Sequence, residues 1–328
     1  MKAVVQSCPG AADTLSLGDM PIPEPGPGQL RLRVRAAGVN RADVMQREGH
    51  YPPPPGASAI LGLEVAGEID AIGAGVTGFV PGERIAALVS GGGYAEFALV
   101  SASLAMRLPA GMGFVEAASL PEAWMTAWLN LRELGDLHVG QRVLIHAGAS
   151  GVGAAAIQLA RLSGATVLTT AGSDGKCAFC ESLGASLAIN YRTTDVAGAV
   201  RAAGKVDLIL DPVGGATLGP NLACLNQDGK LVLIAFMAGR SAELDLGQLL
   251  MKRLTVIGST LRNRDPVTKA RLAARVQDTV IPAIVAGDVR ATVDRTFPLA
   301  EVAAAHRYLE SNQNRGKVVL TVAAASTV

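Results

Sequence analysis

Six short, mostly aliphatic runs, separated by small-residue segments of helical texture, govern what the second half of this chain can become. They are "RVLIHA" (142–147), "TVLTT" (166–170), "SLAIN" (186–190), "VDLILD" (206–211), "KLVLIAF" (230–236) and "LTVIGS" (254–259). Between them lie "VGAAAIQLARLSG", "KCAFCESLGA", "DVAGAVRAAG" and the stretch around "LGPNLACL". A strand that is apolar on both faces needs cover on both, and a parallel neighbour reached through a helix provides it. The alternation predicts an α/β unit, a doubly wound parallel sheet with helices on each face.

The front of the chain reads differently. "QLRLRVRAAGV" (29–39) and "VAGEIDAIG" (65–73) alternate with period two, between Gly and Pro clusters such as "PIPEPGPG" and "YPPPPGAS". That pattern predicts a β-rich domain. After residue 265 come a long helical stretch, "VTKARLAARVQDTVIPAIVAG", a "PLAEVAAAHRYLES" helix and a terminal strand, "GKVVLTV". The last strand matches the front half in style and is expected to return to it. The expected division is 1–122 with 265–328 as one domain and 123–264 as the other. At 328 residues the chain is long enough for two cores.

Composition excludes several classes. Net charge is +1, and no basic or acidic block offers a footprint for nucleic acid or a membrane surface. "MKAVVQSCPG" is too short an apolar run for a signal peptide, and no stretch reaches membrane-spanning length. Four scattered cysteines (Cys8, Cys177, Cys180, Cys224) make no disulfide framework, so a cytoplasmic setting is expected. Cys177 and Cys180 form a CxxC without a second pair at zinc-site spacing, and they read as two small residues one helical turn apart.

The strongest chemical signal is "RVLIHAGASGVGAAAIQLA". A strand runs into a tight loop carrying Gly148, Gly151 and Gly153, and a small-residue helix begins at once. A diphosphate would lie on the free N–H groups of that helix start, those of Gly151 and Val152 among them. The glycines allow backbone to touch ligand and helix to pack on strand. Ser150 stands where the second glycine of the usual pattern belongs. NAD binders place an acidic residue at the end of the second strand, here near Ala171, which has no charge. Gly172, Ser173 and Lys176 follow, and a hydroxyl with an ammonium suits a 2′-phosphate. NADPH is therefore expected over NADH. Asp174 weighs against it unless it caps the next helix, and Lys176 as an ordinary surface lysine is the alternative.

Loop, domain order and punctuation together resemble the medium-chain dehydrogenase/reductase superfamily. That resemblance implies a GroES-like substrate domain before a Rossmann domain, with the last segment returning to the first. Zinc members carry GHExxG. "GLEVAG" (62–67) matches it with Leu63 in place of the histidine, and Asn40 in "GVNRAD" stands at the zinc cysteine. No metal is expected. Glu64 then reads as structural, paired with Arg41 or Arg84. More narrowly, the chain resembles the zinc-free quinone oxidoreductase branch, the p53-inducible quinone oxidoreductase group with zeta-crystallin as a relative. "NRADVMQREGHYPPPPGAS" (40–58), "LPEAWMTAW" (120–128), "TAGSDGK" (170–176), "LILDPVGG" (208–215) and "STLRNRD" (259–265) carry the match. The resemblance implies a homodimeric NADPH quinone reductase. Gly172, Ser173, Lys176 and Tyr191 would surround the 2′-phosphate and adenine, and Asn40, Tyr51 and Thr126 would lie near the nicotinamide. The loops holding Phe236 and Met237, and Leu261 and Arg262, would close over the cofactor, with Arg262 as a phosphate or amide clamp.

Without a metal, hydride transfer needs positioning and a hydrogen-bond donor for the acceptor oxygen. Tyr51, followed by four prolines that stiffen the backbone, is the leading candidate. Asn40 and Ser150 are the others. His146, inside a predicted strand, reads as a hydrogen-bonded core histidine. A 2-enoyl thioester reductase with Tyr51 as proton donor is the first rival reading, and a cofactor-binding protein with little turnover is the second. "LTVIGST", the last apolar strand of its sheet, predicts an edge that pairs with a second copy.

Overall fold

The computed structural model describes residues 1–323. The chain divides into two compact units, Met1–Met125 with the segment from Arg262 onward, and Thr126–Leu261.

In the first unit, β1 (Lys2–Gln6) and β2 (Leu15–Asp19) form an antiparallel pair. Then come β3 (Gln29–Val39), α1 (Arg41–Arg47), β4 (Glu64–Ile72), β5 (Arg84–Leu88), β6 (Phe97–Ser101) and β7 (Ala105–Arg107). Two helices, α2 (Phe114–Ala117) and α3 (Pro121–Trp128), close this part of the chain. The period-two reading of β3 holds because each face has its own chemistry. Leu30, Leu32 and Val34 enter the core, while Arg31 and Arg33 meet Asp70 at 2.7 and 3.0 Å and Arg35 meets Glu68 at 2.8 Å on the other face.

The second unit is a six-stranded parallel sheet. Its elements are β8 (Arg142–Ile145), α4 (Gly151–Leu162), β9 (Thr166–Ala171), α5 (Asp174–Ser182), β10 (Leu187–Asn190), α6 (Val196–Ala202) and β11 (Val206–Asp211), followed by α7 (Leu218–Cys224), β12 (Leu225–Leu233), α8 (Leu246–Met251) and β13 (Thr255–Gly258). The strand order is β10-β9-β8-β11-β12-β13, the doubly wound arrangement in which the order reverses beside β8. Two strand ends fall two or more residues short of expectation. β8 stops at Ile145, because Ala147 takes a left-handed φ of 53° to enter the glycine loop. β12 stops at Leu233, because the chain then turns onto the loop after β11, with Met237 N–H on Pro212 O at 3.2 Å and Ala238 N–H on Val213 O at 2.8 Å. Phe236 therefore lies in a loop.

The tail supplies α9 (Pro266–Arg275), a π-helical turn, α10 (Ile281–Ala286), β14 (Val293–Pro298), α11 (Val302–Glu310) and β15 (Lys317–Thr321). β15 returns to the first unit as expected, lying between β14 and β3 in a sheet ordered β14-β15-β3-β4-β5-β7, with β6 also on β3. Among the described residues no helix is long and apolar enough to cross a membrane.

Candidate active site

The glycine loop of the second unit is built for close approach. A Cβ on Gly148 would collide with Thr169 Oγ1, and one on Gly153 would collide with the carbonyl of Ala147. Bare backbone is the condition for the turn to fit between β9 and α4. Ser150 caps α4 by accepting the Gly153 N–H at 3.0 Å. The N–H groups of Gly151 and Val152 have no partner among the described residues, as the first turn of a helix leaves them. Those two donors, at the positive end of a twelve-residue helix, fit a diphosphate.

At the end of β9, Gly172 allows the Tyr191 ring to close in, since a Cβ there would stand 2.7 Å from the Tyr191 hydroxyl. Ser173, not Asp174, caps α5, by accepting the Lys176 N–H at 3.3 Å. Asp174 instead accepts from Asn190 Nδ2 at 2.7 Å. Lys176 is half-buried and Tyr191 exposed. Phe236 and Met237 are exposed on their loop, while Thr126 and Leu261 are buried, the Thr126 carbonyl accepting from Asn130 Nδ2 at 2.8 Å. His146 is a core residue as expected, held by Thr170 Oγ1 at 3.0 Å and Asn221 Oδ1 at 2.8 Å.

The first unit answers the question that Glu64 raises. Its carboxylate is fully buried and is not paired with Arg41 or Arg84; its partner is Lys317. Sheet register explains the difference. Arg84 of β5 sits opposite Glu68, four residues along, and its guanidinium goes to carbonyls at 109–112 and over the Phe114 ring. Arg41 reaches the carbonyl of Leu309. In the β15–β3 ladder Val318 faces Val39, which brings Lys317 against Asn40 and Glu64. The Lys317 ammonium also donates to Asn40 Oδ1 at 2.6 Å, and Asn40 Nδ2 donates to Glu64 Oε1 at 3.0 Å. Asn40 thus has one amide hydrogen left for anything else. The second Glu64 oxygen accepts the backbone N–H of Glu122 at 2.8 Å.

Asn40 and Leu63 stand where zinc relatives supply ligands, and the Lys317 ammonium lies against both Asn40 and Glu64. That donor set does not fit a zinc ion, which requires thiolate, imidazole or carboxylate ligands without a cation among them. Beside it Asp43 accepts from the Tyr94 hydroxyl at 2.9 Å, the Asn40 N–H at 2.8 Å and the Gly62 N–H at 3.2 Å. Burial still pushes its carboxyl up to about 6. Gly62 is required here, with a φ of 101° and Tyr94 packed where a Cβ would be.

Tyr51 is half-buried, and the Arg262 guanidinium lies 5.3 Å from its ring centroid, in cation–π range. The two Nη atoms of Arg262 are committed to Gln46 Oε1 and Ser90 O, both at 2.7 Å, and to Tyr51 O at 3.5 Å; its Nε has no partner among the described residues. Arg262 is thus a brace for the Tyr51 loop with one donor in reserve. Glu122, which sequence reasoning passed over, is the last member. Burial first, and the Glu64 carboxylate second, push its carboxyl up to about 8. The only sequence signal for it was an acid directly after the proline that opens a helix, a pattern shared by many helices without chemistry.

Family models for the alcohol dehydrogenase GroES-like domain and for zinc-binding dehydrogenases match residues 26–110 and 151–276. A quinone oxidoreductase of Pseudomonas aeruginosa is 33% identical over 290 residues, covering 87% of this chain and 89% of the relative. The synaptic vesicle membrane protein VAT-1 homolog of Danio rerio is 32% identical over 88% of this chain, which spans 63% of that longer protein. Among solved structures, Escherichia coli quinone oxidoreductase complexed with NADPH superposes with a TM-score of 0.89 at 28% identity, over 98% of this chain and 100% of that one. The CurK enoyl reductase gives 0.86 at 30% identity, over 98% and 99%. With a two-unit order, a parallel sheet and a metal motif stripped of its ligands all in place, the chain belongs to the medium-chain dehydrogenase/reductase superfamily, in its zinc-free quinone oxidoreductase branch.

Proposed function

We propose that this oxidoreductase reduces quinones or related conjugated carbonyls with NADPH. The observation that carries the reading is the Asn40–Glu64–Lys317 knot. An acceptor that needs a Lewis acid has no partner there, whereas a quinone needs only a donor for the charge on its oxygen. Bound NADPH supplies the hydride. Gly148, Ser150, Gly151, Val152 and Gly153 would hold its diphosphate on the start of α4, and Gly172, Ser173, Lys176 and Tyr191 its adenosine 2′-phosphate. The uncharged Ala171 at the end of β9 supports the phosphorylated cofactor, as does the NADPH found with the Escherichia coli neighbour. Tyr51, steadied by Arg262, presents its hydroxyl to the acceptor oxygen. The similarity to an enoyl reductase supports a second reading, reduction of a 2-enoyl thioester. The chain acts as a homodimer joined along β13.

The deciding experiment is anaerobic NADPH oxidation by chelator-treated protein, with a small quinone and a short 2-enoyl thioester offered in parallel and NADH as the control donor. Quinone turnover that prefers NADPH is the expected result. Turnover of the thioester alone moves the function to the second reading, and silence with both removes each of them.

A further inference from the structure

A hydride carries two electrons and one proton, so the reduced acceptor is left with a negative oxygen or an enolate that must collect one more proton. Tyr51 is poorly suited to give it. Burial, and then the neighbouring Glu122 charge, raise its hydroxyl above the ordinary tyrosine range. It can hydrogen-bond an oxyanion at neutral pH but surrenders its proton reluctantly.

The first unit holds a better source. Glu64 spends its two oxygens on Lys317, Asn40 and the Glu122 N–H, and Asp43 spends its own on Tyr94, Asn40 and Gly62. The Glu122 carboxyl, on the first turn of α3, has no hydrogen-bond or ion-pair partner among the described residues and is half-buried. Its backbone is fixed by the Glu64 bond at 2.8 Å, so the side chain is tethered while its acid group stays uncommitted. A second feature of the same cluster points to a ligand. Arg262 is only 4% exposed, yet its Nε has no acceptor among the described residues. A buried guanidinium N–H without a partner is costly, and a ligand oxygen would satisfy it.

We propose that Glu122 is the proton donor of the reduction and that Tyr51 only hydrogen-bonds the acceptor oxygen; this rests on the reading of the chain as a reductase of conjugated carbonyls. The charged groups around Glu122 decide its state. Glu64 on β4 and Asp43 on α1 favour the protonated form, Lys317 on β15 and Arg262 oppose it, and burial adds to the first pair. Lys269 on α9 also feels the Glu122 charge. The sum keeps the carboxyl protonated at neutral pH. Once the hydride has reached the acceptor, the Glu122 O–H bond breaks, its proton joins the oxyanion or the enolate carbon, and the carboxylate left behind recovers a proton from water on its exposed side.

Two measurements test this. Difference infrared spectra of the cofactor-free protein should show a protonated carboxyl at neutral pH that titrates near pH 8 and is missing from Glu122→Gln. With an enone and a quinone as acceptors, kcat of Glu122→Gln should fall about 100-fold or more on the enone, where carbon must be protonated, at an unchanged NADPH dissociation constant. Glu122→Asp should regain part of that loss, and no regain would assign Glu122 a role in shape alone. A missing band, or full kcat in Glu122→Gln while the wild type reduces its acceptor, overturns the proposal and leaves the reductase reading standing. A wild type silent toward both acceptors removes the reading and the proposal together.

Discussion

Lys317 and Glu64 are 253 positions apart in sequence, both essentially excluded from water, and joined through Asn40. Removing one member of such a pair leaves a charge with no water and no partner. Lys317→Met should therefore destabilise the fold by about 3–5 kcal/mol, read as a lowered urea midpoint. The double variant Glu64→Gln/Lys317→Met, which leaves no charge, should recover much of that; equal losses in single and double variants would mean that the lysine matters for packing alone. Glu122 and Asp43 add a pH dependence of definite sign. Each carboxyl is raised in the folded state, to about 8 and about 6, above ordinary values of 4.5 and 3.8. The native protein then holds protons that the unfolded chain has released, so stability falls as pH rises through that interval. Buried His306, lowered to about 4, acts in the opposite direction, but only below its ordinary 6.5. Above about pH 7 the fall is mostly Glu122's among these three, and Glu122→Gln should flatten it. A midpoint that does not move between about pH 6.5 and 8.5 in the wild type would remove the argument for a protonated Glu122.

At the scale of elements, what the sequence made legible was what depends on local pattern. The parallel sheet followed from aliphatic runs between small-residue helices, and β3 from strict alternation, because each is set by neighbours two to four residues away. Strand ends were less legible. β12 stops at Leu233 because the chain finds new partners at Pro212 and Val213, twenty residues back. The partner of Glu64 was illegible for a related reason, since the β15–β3 register that delivers Lys317 is a property of the sheet and not of either segment. The glycine loop was legible in place and shape, but not in the cap: Ser150, expected to serve chemistry, is the N-cap of α4 through its 3.0 Å bond from Gly153. Ser150→Ala should accordingly cost about 1 kcal/mol in stability. A loss of NADPH affinity with no change in the denaturation midpoint would instead assign the hydroxyl to the cofactor.

At the scale of the whole molecule the open question is association. β13 is the last strand of its sheet, with β12 on one side only, and Thr255, Val256 and Gly258 are exposed along it. Nearby in sequence, α8 exposes Leu246, Leu250 and Met251, with Leu250 at 74% and Met251 at 80%. An unpaired edge of this composition invites pairing with another chain, and no charge or proline within β13 discourages it. Two copies meeting β13 to β13 about a two-fold axis satisfy both ladders at once and occupy that edge in each copy, so assembly through it should stop at two. Light scattering at micromolar protein should report twice the 33.5 kDa chain mass. Val256→Lys, which places a desolvation cost on the shared edge in each copy, should shift the mass toward a single chain while the far-ultraviolet circular dichroism keeps its wild-type form. A wild type that scatters as one chain at that concentration would mean that the exposed apolar side chains of α8 and β13 have some other partner, and a mass above two would mean that a second surface, outside this edge, also associates.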